Sequence, residues 1–338
     1  MDDAQTRELL GAYALDACDD DEGAAVEAFL ARDAAARAEA DELRNVASLL
    51  GAAHALAPSP GLRDAVLARA RRMRPGSADD PALALYDAQC DSFDALVNGL
   101  APEQLDVATC NGLTIRELVV HMAAQESAFA ASAGAPTIPE LTTDEVEART
   151  RELIDQLGDR PVSDAQALWR RSVEALRAWA SGEGGRLEVP GIGFSMSRHS
   201  ALTSRAFETW THEDDVRRAL GRPPLVPPAR HLRLMADVST RSLPLALAFT
   251  GRVRPGKKAL IELTGNGGGT WTVPLELGLD RPMPGSNGTA DVVLRMDVVD
   301  WCRVASRRLD PSEAMFKASG EVELVDDVFA AAPAFATL

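Results

Sequence analysis

The sequence predicts a mainly α-helical protein with a small α+β domain at its C-terminus, and three patterns support this prediction. Residues 1–57 are rich in alanine and acidic side chains, residues 114–132 and 197–220 repeat apolar residues at helical spacing, and short β-type runs begin near residue 255. We therefore expect an acidic helical segment at 1–75, a helical domain at 81–250 and a small α+β domain at 251–338.

The acidic N-terminal segment holds more than half of the excess negative charge. Residues 1–57 contain thirteen aspartate or glutamate residues and four arginines, a net charge of −9 in a chain whose total is −16. We predict helices at about 3–16 and about 22–55, the second interrupted near Asp33. The acidic run 19–22 suits the start of a helix, where the backbone dipole favours negative charge.

Two helices of the central region carry ionisable residues on faces that also carry apolar ones. The sequence Thr114-Ile-Arg-Glu117 is a capping box that begins the first helix, and His121 and Gln125 follow along the edge of its apolar face. In the second helix, at about 3.6 residues per turn, four ionisable residues fall on one stripe beside apolar side chains. These four are Arg205, Glu208, His212 and Asp215.

Charged side chains that face a core are costly unless they are paired or bind a ligand. Glu208 and His212 lie one helical turn apart, so a divalent cation could join them. Together with His121 they form a set of two imidazoles and one carboxylate, which is typical of catalytic zinc because three protein ligands leave one position open. The pattern therefore predicts a metal site at His121, Glu208 and His212.

Simpler interpretations of the same residues stay open at this point. Glu208 and His212 could form only a buried hydrogen bond, and His121 could be a core histidine. Arg205 and Asp215 could orient the two ligands of their helix or form an ion pair on its surface.

The C-terminal region alternates strand and helix patterns. Strands are predicted at 258–263, 270–277 and 290–295, followed by a helix from about 298 to 308 and a further helix beginning at Pro311. This order predicts an α+β domain.

Composition excludes several classes of protein. No apolar run approaches the roughly 18 residues of a membrane span and the N-terminus lacks a signal pattern, so we expect a cytoplasmic protein without a membrane partner. The four cysteines are scattered, which argues against a disulfide framework or a cysteine zinc site. The net charge of −16 argues against direct binding of nucleic acid.

Two stretches, 109–121 and 205–221, resemble the mycothiol-dependent maleylpyruvate isomerase family, a branch of the DinB-like metal-binding bundles. The resemblance covers about residues 81–338. It implies a four-helix bundle that binds a divalent metal, usually zinc, through His121, Glu208 and His212, and a C-terminal α+β domain related to sterol-carrier proteins. In this sequence Leu113 replaces the family's tryptophan after the Cys-x-Gly element, which leaves the metal ligands intact but changes the local substrate pocket.

The family resemblance also implies a function. A thiol, mycothiol in the family, would bind at the open metal position and be presented as thiolate to an electrophilic small molecule. The protein would then be an isomerase or a thiol transferase, with Arg205 and Asp215 orienting Glu208 and His212.

Residues 8–16 and 26–37 resemble an anti-sigma domain that carries a His-x3-Cys-x2-Cys zinc motif. Here the three ligand positions are Phe29, Asp33 and Ala36, so we expect no zinc and predict that packing of Phe29 replaces it. The alternative function is a regulator that binds a sigma factor or another basic protein through residues 1–75 and senses a thiol or ligand with its metal bundle. An acidic helical appendage or an oligomerisation arm is the simpler interpretation.

Overall fold

The computed structural model describes residues 2–53, 80–110, 112–135, 146–182, 185–190, 193–278, 283–285 and 290–336. Its contacts divide the chain into two units, residues 1–74 and residues 75–338, and each is described by itself. The predicted boundary between residues 75 and 81 falls almost entirely outside the described residues.

Four helices form the described part of the N-terminal unit: α1 (Asp3–Glu8), α2 (Leu10–Ala14), α3 (Asp20–Arg32) and α4 (Ala34–Ala53). The predicted interruption at Asp33 is confirmed. The Asp33 carboxylate accepts hydrogen bonds from the backbone N–H groups of Ala35 and Ala36, both at 2.9 Å, and so begins α4. The predicted helix at 3–16 is in fact two helices that meet at Leu9.

A small apolar core joins these four helices. Phe29 is 3% exposed and lies among Leu10, Val26, Leu30, Ala36 and Ala40. The guanidinium groups of Arg7 and Arg32 contact its ring, at 5.7 and 5.4 Å from the centroid. The predicted packing of Phe29 is therefore confirmed, whereas its replacement of a zinc site and the binding of a sigma factor or another basic protein stay predictions.

The second unit begins with helices that form the central bundle. They are α5 (Pro81–Asn98), α6 (Ile115–Ser132), α7 (Val146–Leu157), α8 (Val162–Ser181) and α9 (Arg198–Ala219). Helix α6 packs on α8 and α9 on α5, while α5 also contacts α8 and α9 contacts α6, so these four form a bundle with α7 beside α6. A 3-10 turn (Pro102–Asp106) precedes α6, and the short antiparallel strands β1 (Arg186–Glu188) and β2 (Ser195–Ser197) precede α9.

The predicted capping box fixes the start of α6. The hydroxyl oxygen of Thr114 accepts from the backbone N–H of Glu117 at 3.2 Å, and the Glu117 carboxylate accepts from the backbone N–H of Thr114 at 2.7 Å. Nearly every residue of α6 between Leu118 and Ala130 is buried, the polar ones included. The bundle therefore encloses His121 on all sides.

The remaining elements are one helix that lies within the predicted helical domain and the elements of the α+β domain. They are α10 (Ala229–Phe249), β3 (Lys258–Thr264), β4 (Gly269–Pro274), β5 (Met283–Pro284), β6 (Val292–Asp297), α11 (Val298–Ala305), β7 (Phe316–Gly320) and α12 (Glu323–Ala331). The strand order is β5-β4-β3-β6-β7; β3 and β6 run parallel and the other neighbours antiparallel. The predicted fold class, mainly α with a C-terminal α+β part, is confirmed.

One predicted element of this domain is wrong. No helix begins at Pro311: residues 311–314 form a turn and bend, and the chain continues into β7, which pairs with β6. Strand β7 is an edge strand with little burial on either face, so it lacks the alternation by which a sequence reveals a strand. Helices α10 and α12 were not predicted.

Among the described residues, no helix has both the length and the apolar character required to span a membrane.

Candidate metal centre

The two histidines and the glutamate predicted as ligands meet inside the bundle. His121 comes from α6, Glu208 and His212 come from α9, and one ligand atom from each lies within 4.8 Å of the others. His212 Nε2 is 3.1 Å from Glu208 Oε1, and His121 Nε2 is 3.8 Å from the same oxygen. Both imidazoles are fully buried, and the Glu208 side chain is 15% exposed.

One of these ligand atoms lacks a hydrogen bond. His121 Nε2 is buried and has no hydrogen-bond partner within the described part of the chain, since 3.8 Å to Glu208 is too long. A buried polar atom without a partner is costly, so such an atom indicates a ligand or a functional strain. Two nitrogens and one oxygen converging here are donors that suit zinc or another divalent cation. The residues present therefore fit a metal.

Hydrogen bonds on the far side of each ring orient the two imidazoles. His121 Nδ1 lies 3.0 Å from Thr150 Oγ1, and His212 Nδ1 lies 3.0 Å from Asp215 Oδ2. A proton on His212 Nδ1 donated to Asp215 leaves the Nε2 lone pair facing Glu208. The Asp215 carboxylate in turn accepts two hydrogen bonds from the Arg308 guanidinium, at 2.8 and 2.7 Å.

Arg205 belongs to a second buried network. It donates two hydrogen bonds to Glu126 Oε2, from Nε at 3.1 Å and from Nη2 at 3.0 Å, and Tyr86 donates to the other oxygen of that carboxylate. The guanidinium also lies 4.7 Å from the centroid of the Phe129 ring. A surface ion pair between Arg205 and Asp215 is therefore excluded, because both residues are buried and each has another partner.

The charges of this site follow from these contacts. Burial alone would raise the pKa of Glu208, but its two histidine neighbours and Arg205 outweigh burial and hold that pKa well below its usual range. Burial lowers the pKa of His121. Burial would also lower the pKa of His212, but its hydrogen bonds to Asp215 and Glu208 raise it. An anionic carboxylate beside a neutral imidazole is the state in which both can bind a cation.

A cysteine lies on the outer side of the same network. Cys110 Sγ is 3.2 Å from Asp215 Oδ1. Burial, and then the negative charge of Asp215, raise the pKa of this thiol to about 11. Cys110 is therefore protonated at neutral pH.

A cavity of about 190 Å³ opens beside the trio, and Glu208 and Arg205 form part of its wall. Residues of α6, α9, α10, the end of α11, the β1–β2 hairpin and the C-terminal end of the chain complete that wall. The carboxylate of the trio is thus accessible from the cavity, whereas both histidines lie behind it.

Three residues of the site did not emerge from the sequence: Glu126, Thr150 and Arg308. The sequence contains one indication of Glu126, because it is an acid on a helix whose other side chains are mostly apolar or small. It contains none for Thr150 and Arg308, because their roles depend on contacts with residues 29 and 93 positions away in the chain.

Comparisons with known proteins give one family model for the central bundle and two uncharacterised relatives. Residues 86–217, which include all three candidate ligands, match the family model described as the mycothiol maleylpyruvate isomerase N-terminal domain. Uncharacterised proteins from two strains of Mycobacterium tuberculosis are each 30% identical to this chain over 202 residues, which cover 57% of this chain and 76% of theirs.

Solved structures with a similar course of the chain include a crystal structure of the mycothiol-dependent maleylpyruvate isomerase. It is 17% identical, with a TM-score of 0.45, and the match covers 70% of this chain and 91% of that one. A mutant of the same enzyme gives 16% identity and the same TM-score and coverage.

Proposed function

Because this chain belongs to the mycothiol maleylpyruvate isomerase family, we propose that its central bundle is a metal-dependent thiol enzyme. His121, Glu208 and His212 bind a divalent cation, for which zinc suits the donor set. Mycothiol is the thiol cosubstrate, and the second substrate is an electrophilic small molecule that is isomerised or joined to the thiol. The observation that carries this proposal is the buried Nε2 of His121, which has no hydrogen-bond partner among the described residues and lies near Glu208 and His212.

The cation would supply one element of the chemistry, a lower pKa for a thiol at its open position. The chain's own residues prepare the site. Asp215 holds the Nδ1 proton of His212, and Thr150 contacts Nδ1 of His121, so the Nε2 atom of each ring faces the centre. Besides the two histidines, the positive charge of Arg205 helps to lower the pKa of Glu208, while Glu126 holds the guanidinium in place.

Both proposed reactions, isomerisation and transfer to the thiol, conserve atoms and electrons. In an isomerisation the S–C bond formed by addition of the thiolate to a double bond breaks again after rotation, which regenerates the thiol. In a transfer the S–C bond remains, and the carbon that receives the electron pair takes up the proton of the thiol. Neither reaction requires an oxidant or a reductant.

Metal analysis of the purified full-length protein tests the proposal. We expect about one divalent ion per chain in the unchanged protein and a large loss of it in His121→Ala and Glu208→Ala, because each variant removes one of three ligands. His199→Ala is the matched control: His199 lies on α9 but is exposed, and its loss should leave the metal content unchanged. Unchanged metal content in both ligand variants would overturn the proposal.

A second measurement tests the thiol. Calorimetric titration with mycothiol should give saturable binding to the metal-loaded protein and none to Glu208→Ala. Equal binding of mycothiol to both proteins would show that the thiol binds independently of the metal site.

A further inference from the structure

The cavity beside Glu208 has room for a small ring system. Its volume is about 190 Å³, and an apolar cavity of about 150 Å³ is known to bind benzene. Helices α9 and α10 both contribute to its wall, since Phe207 and Leu245 line it. A ligand in this space would lie against Glu208, next to the candidate metal centre.

Most of the side chains that line the cavity are apolar, and several are aromatic. Four phenylalanines contribute rings, and two of them, Phe194 and Phe335, stack edge to face with centroids 6.2 Å apart. The others are Phe129 and Phe207, and Met196 and Leu245 also line the cavity. Such walls favour a flat, apolar ligand.

The hydroxyl groups in the wall already donate their hydrogen bonds within their own helices. Each lies 2.7–3.3 Å from a backbone carbonyl oxygen three or four residues earlier in the chain. A hydroxyl has one proton, so these groups can accept a hydrogen bond from a ligand but have no further proton to donate. The hydroxyl groups belong to Ser204, Thr211, Ser239, Ser242 and Ser306.

Charge points to the same kind of ligand. Arg205 is the one cation among the described residues that line the cavity, and its hydrogen bonds go to Glu126. Glu126 and Glu208 carry two negative charges against this single positive charge, and the nearby charges of Asp215 and Arg308 cancel. Because this one cation of the described lining is already paired, the cavity wall offers no unpaired cation to balance an anionic substrate.

From these observations we infer the class of the electrophile. The cavity binds it as an uncharged, largely apolar molecule about the size of one or two fused rings, and it excludes a dicarboxylate. That the ligand is an electrophile rests on the proposed function above, whereas its apolar and uncharged character rests on the cavity alone.

Equilibrium dialysis of two matched ligands tests the inference. Naphthalene and naphthalene-2,3-dicarboxylate are offered to the full-length protein as purified, with mycothiol at saturation and the metal content measured on the same sample. We expect naphthalene to bind at least about tenfold more tightly, because the dicarboxylate would be buried without a counter-charge. Equal or tighter binding of the dicarboxylate overturns the inference, as does a lack of saturable naphthalene binding.

Two tryptophan variants place the binding in this cavity. Ser242→Trp inserts an indole into the cavity from α10, and we expect naphthalene binding to weaken at least tenfold. Arg241→Trp adds the same side chain on the exposed face of α10 and should leave binding unchanged. Equal naphthalene binding by both variants overturns the inference, and if Ser242→Trp fails to fold, the ligand pair in the unchanged protein still decides.

The outcomes separate this inference from the proposed function. Normal metal content and thiol-dependent turnover of a dicarboxylate would overturn the class of electrophile and leave the metal-dependent thiol enzyme in place. If naphthalene binds but the metal content does not depend on His121 and Glu208, the metal-dependent thiol enzyme is overturned and the apolar character of the cavity's ligand stands.

Discussion

Two regions of this chain carry side chains at the helical spacing of metal ligands, and they differ in what surrounds those side chains. At Phe29, Asp33 and Ala36 an aromatic ring and a methyl group fill the core of the N-terminal unit, and the carboxylate caps a helix. At His121, Glu208 and His212 the ligand atoms converge and one nitrogen lacks a hydrogen bond. Spacing alone does not distinguish these regions, whereas the hydrogen bonds of the buried polar atoms do.

The acidic residues of the two regions differ in the same way. In the N-terminal unit the carboxylates of Asp33 and Glu39 pair with Arg7 near the surface, where all three side chains are between 33% and 47% exposed. In α9 three consecutive acids are buried, and each pairs with at least one arginine from the same helix or from the C-terminal domain. These pairs join Glu213 with Arg217, Asp214 with Arg218 and Arg303, and Asp215 with Arg308. The carboxylates of the N-terminal unit are therefore partly exposed to solvent, whereas those of α9 are buried and neutralised by arginines.

The largest effect that we predict falls on the apolar core of the N-terminal unit. Phe29→Ala should cost about 3–5 kcal/mol, which is about as much as the core of so small a unit supplies. We expect amide hydrogens of residues 3–53 to lose their protection from exchange while those of α5–α9 keep theirs. Leu15→Ala is the control, because Leu15 is 65% exposed. Retained protection in Phe29→Ala would contradict this account of the core.

The next effect concerns the charges buried in the bundle. Arg205→Met leaves the buried Glu126 carboxylate without its partner, and breaking such a pair costs about 3–5 kcal/mol. Urea unfolding should show this loss, and the double variant Arg205→Met/Glu126→Gln should recover part of it. Arg241→Met, which breaks a partly exposed pair with Asp237, should cost no more than about 1 kcal/mol. Equal losses in the two single variants would remove the distinction between buried and solvated charge.

A smaller effect is expected at the carboxylate that contacts His212. Asp215→Asn can no longer hold the Nδ1 proton of the ring by a charged hydrogen bond, and such changes weaken metal binding about 10–100-fold. Competition with a chromophoric chelator measures the affinity. Asp214→Asn is the matched control, since Asp214 pairs with Arg218 and Arg303 and makes no contact of this kind with His212. The same loss of affinity in both variants would argue that only the charge of α9 matters.

The smallest effect is a pH dependence in the C-terminal domain. Burial acts to raise the pKa of Asp327, but hydrogen bonds from Arg254 and Arg252 outweigh it and lower that pKa. The folded pKa lies below the unfolded value of about 3.9, so the stabilisation is complete above about pH 4 and is lost as pH falls through the folded value. Asp327→Asn should cost less than about 1 kcal/mol at pH 7, and its thermal unfolding should approach that of the unchanged protein at low pH. A difference that grows as the pH falls would contradict the sign.

The sequence revealed most of the local structure and the three candidate ligands, because both depend on short spacings. The capping box at Thr114 and the helical stripe from Arg205 to Asp215 predicted α6 and α9 almost to the residue, and the three side chains proposed as ligands do converge; that they bind a metal stays a prediction. It could not reveal Glu126 as the partner of Arg205 or Arg308 as the partner of Asp215, because these pairs depend on tertiary packing. Strand β7 was missed for a similar reason, since its hydrogen bonds to β6 define it and its side chains carry no pattern.

The contact between Arg308 and Asp215 sets an order of assembly on the ribosome. The chain is made from its N-terminus, so every helix of the bundle has left the ribosome well before Arg308, which follows Asp215 by 93 residues. Until then the Asp215 carboxylate lacks the guanidinium that holds it against His212. A nascent or prematurely ended chain therefore lacks the Arg308 contact that completes the candidate site, and we expect tight cation binding there to arise only near the end of synthesis.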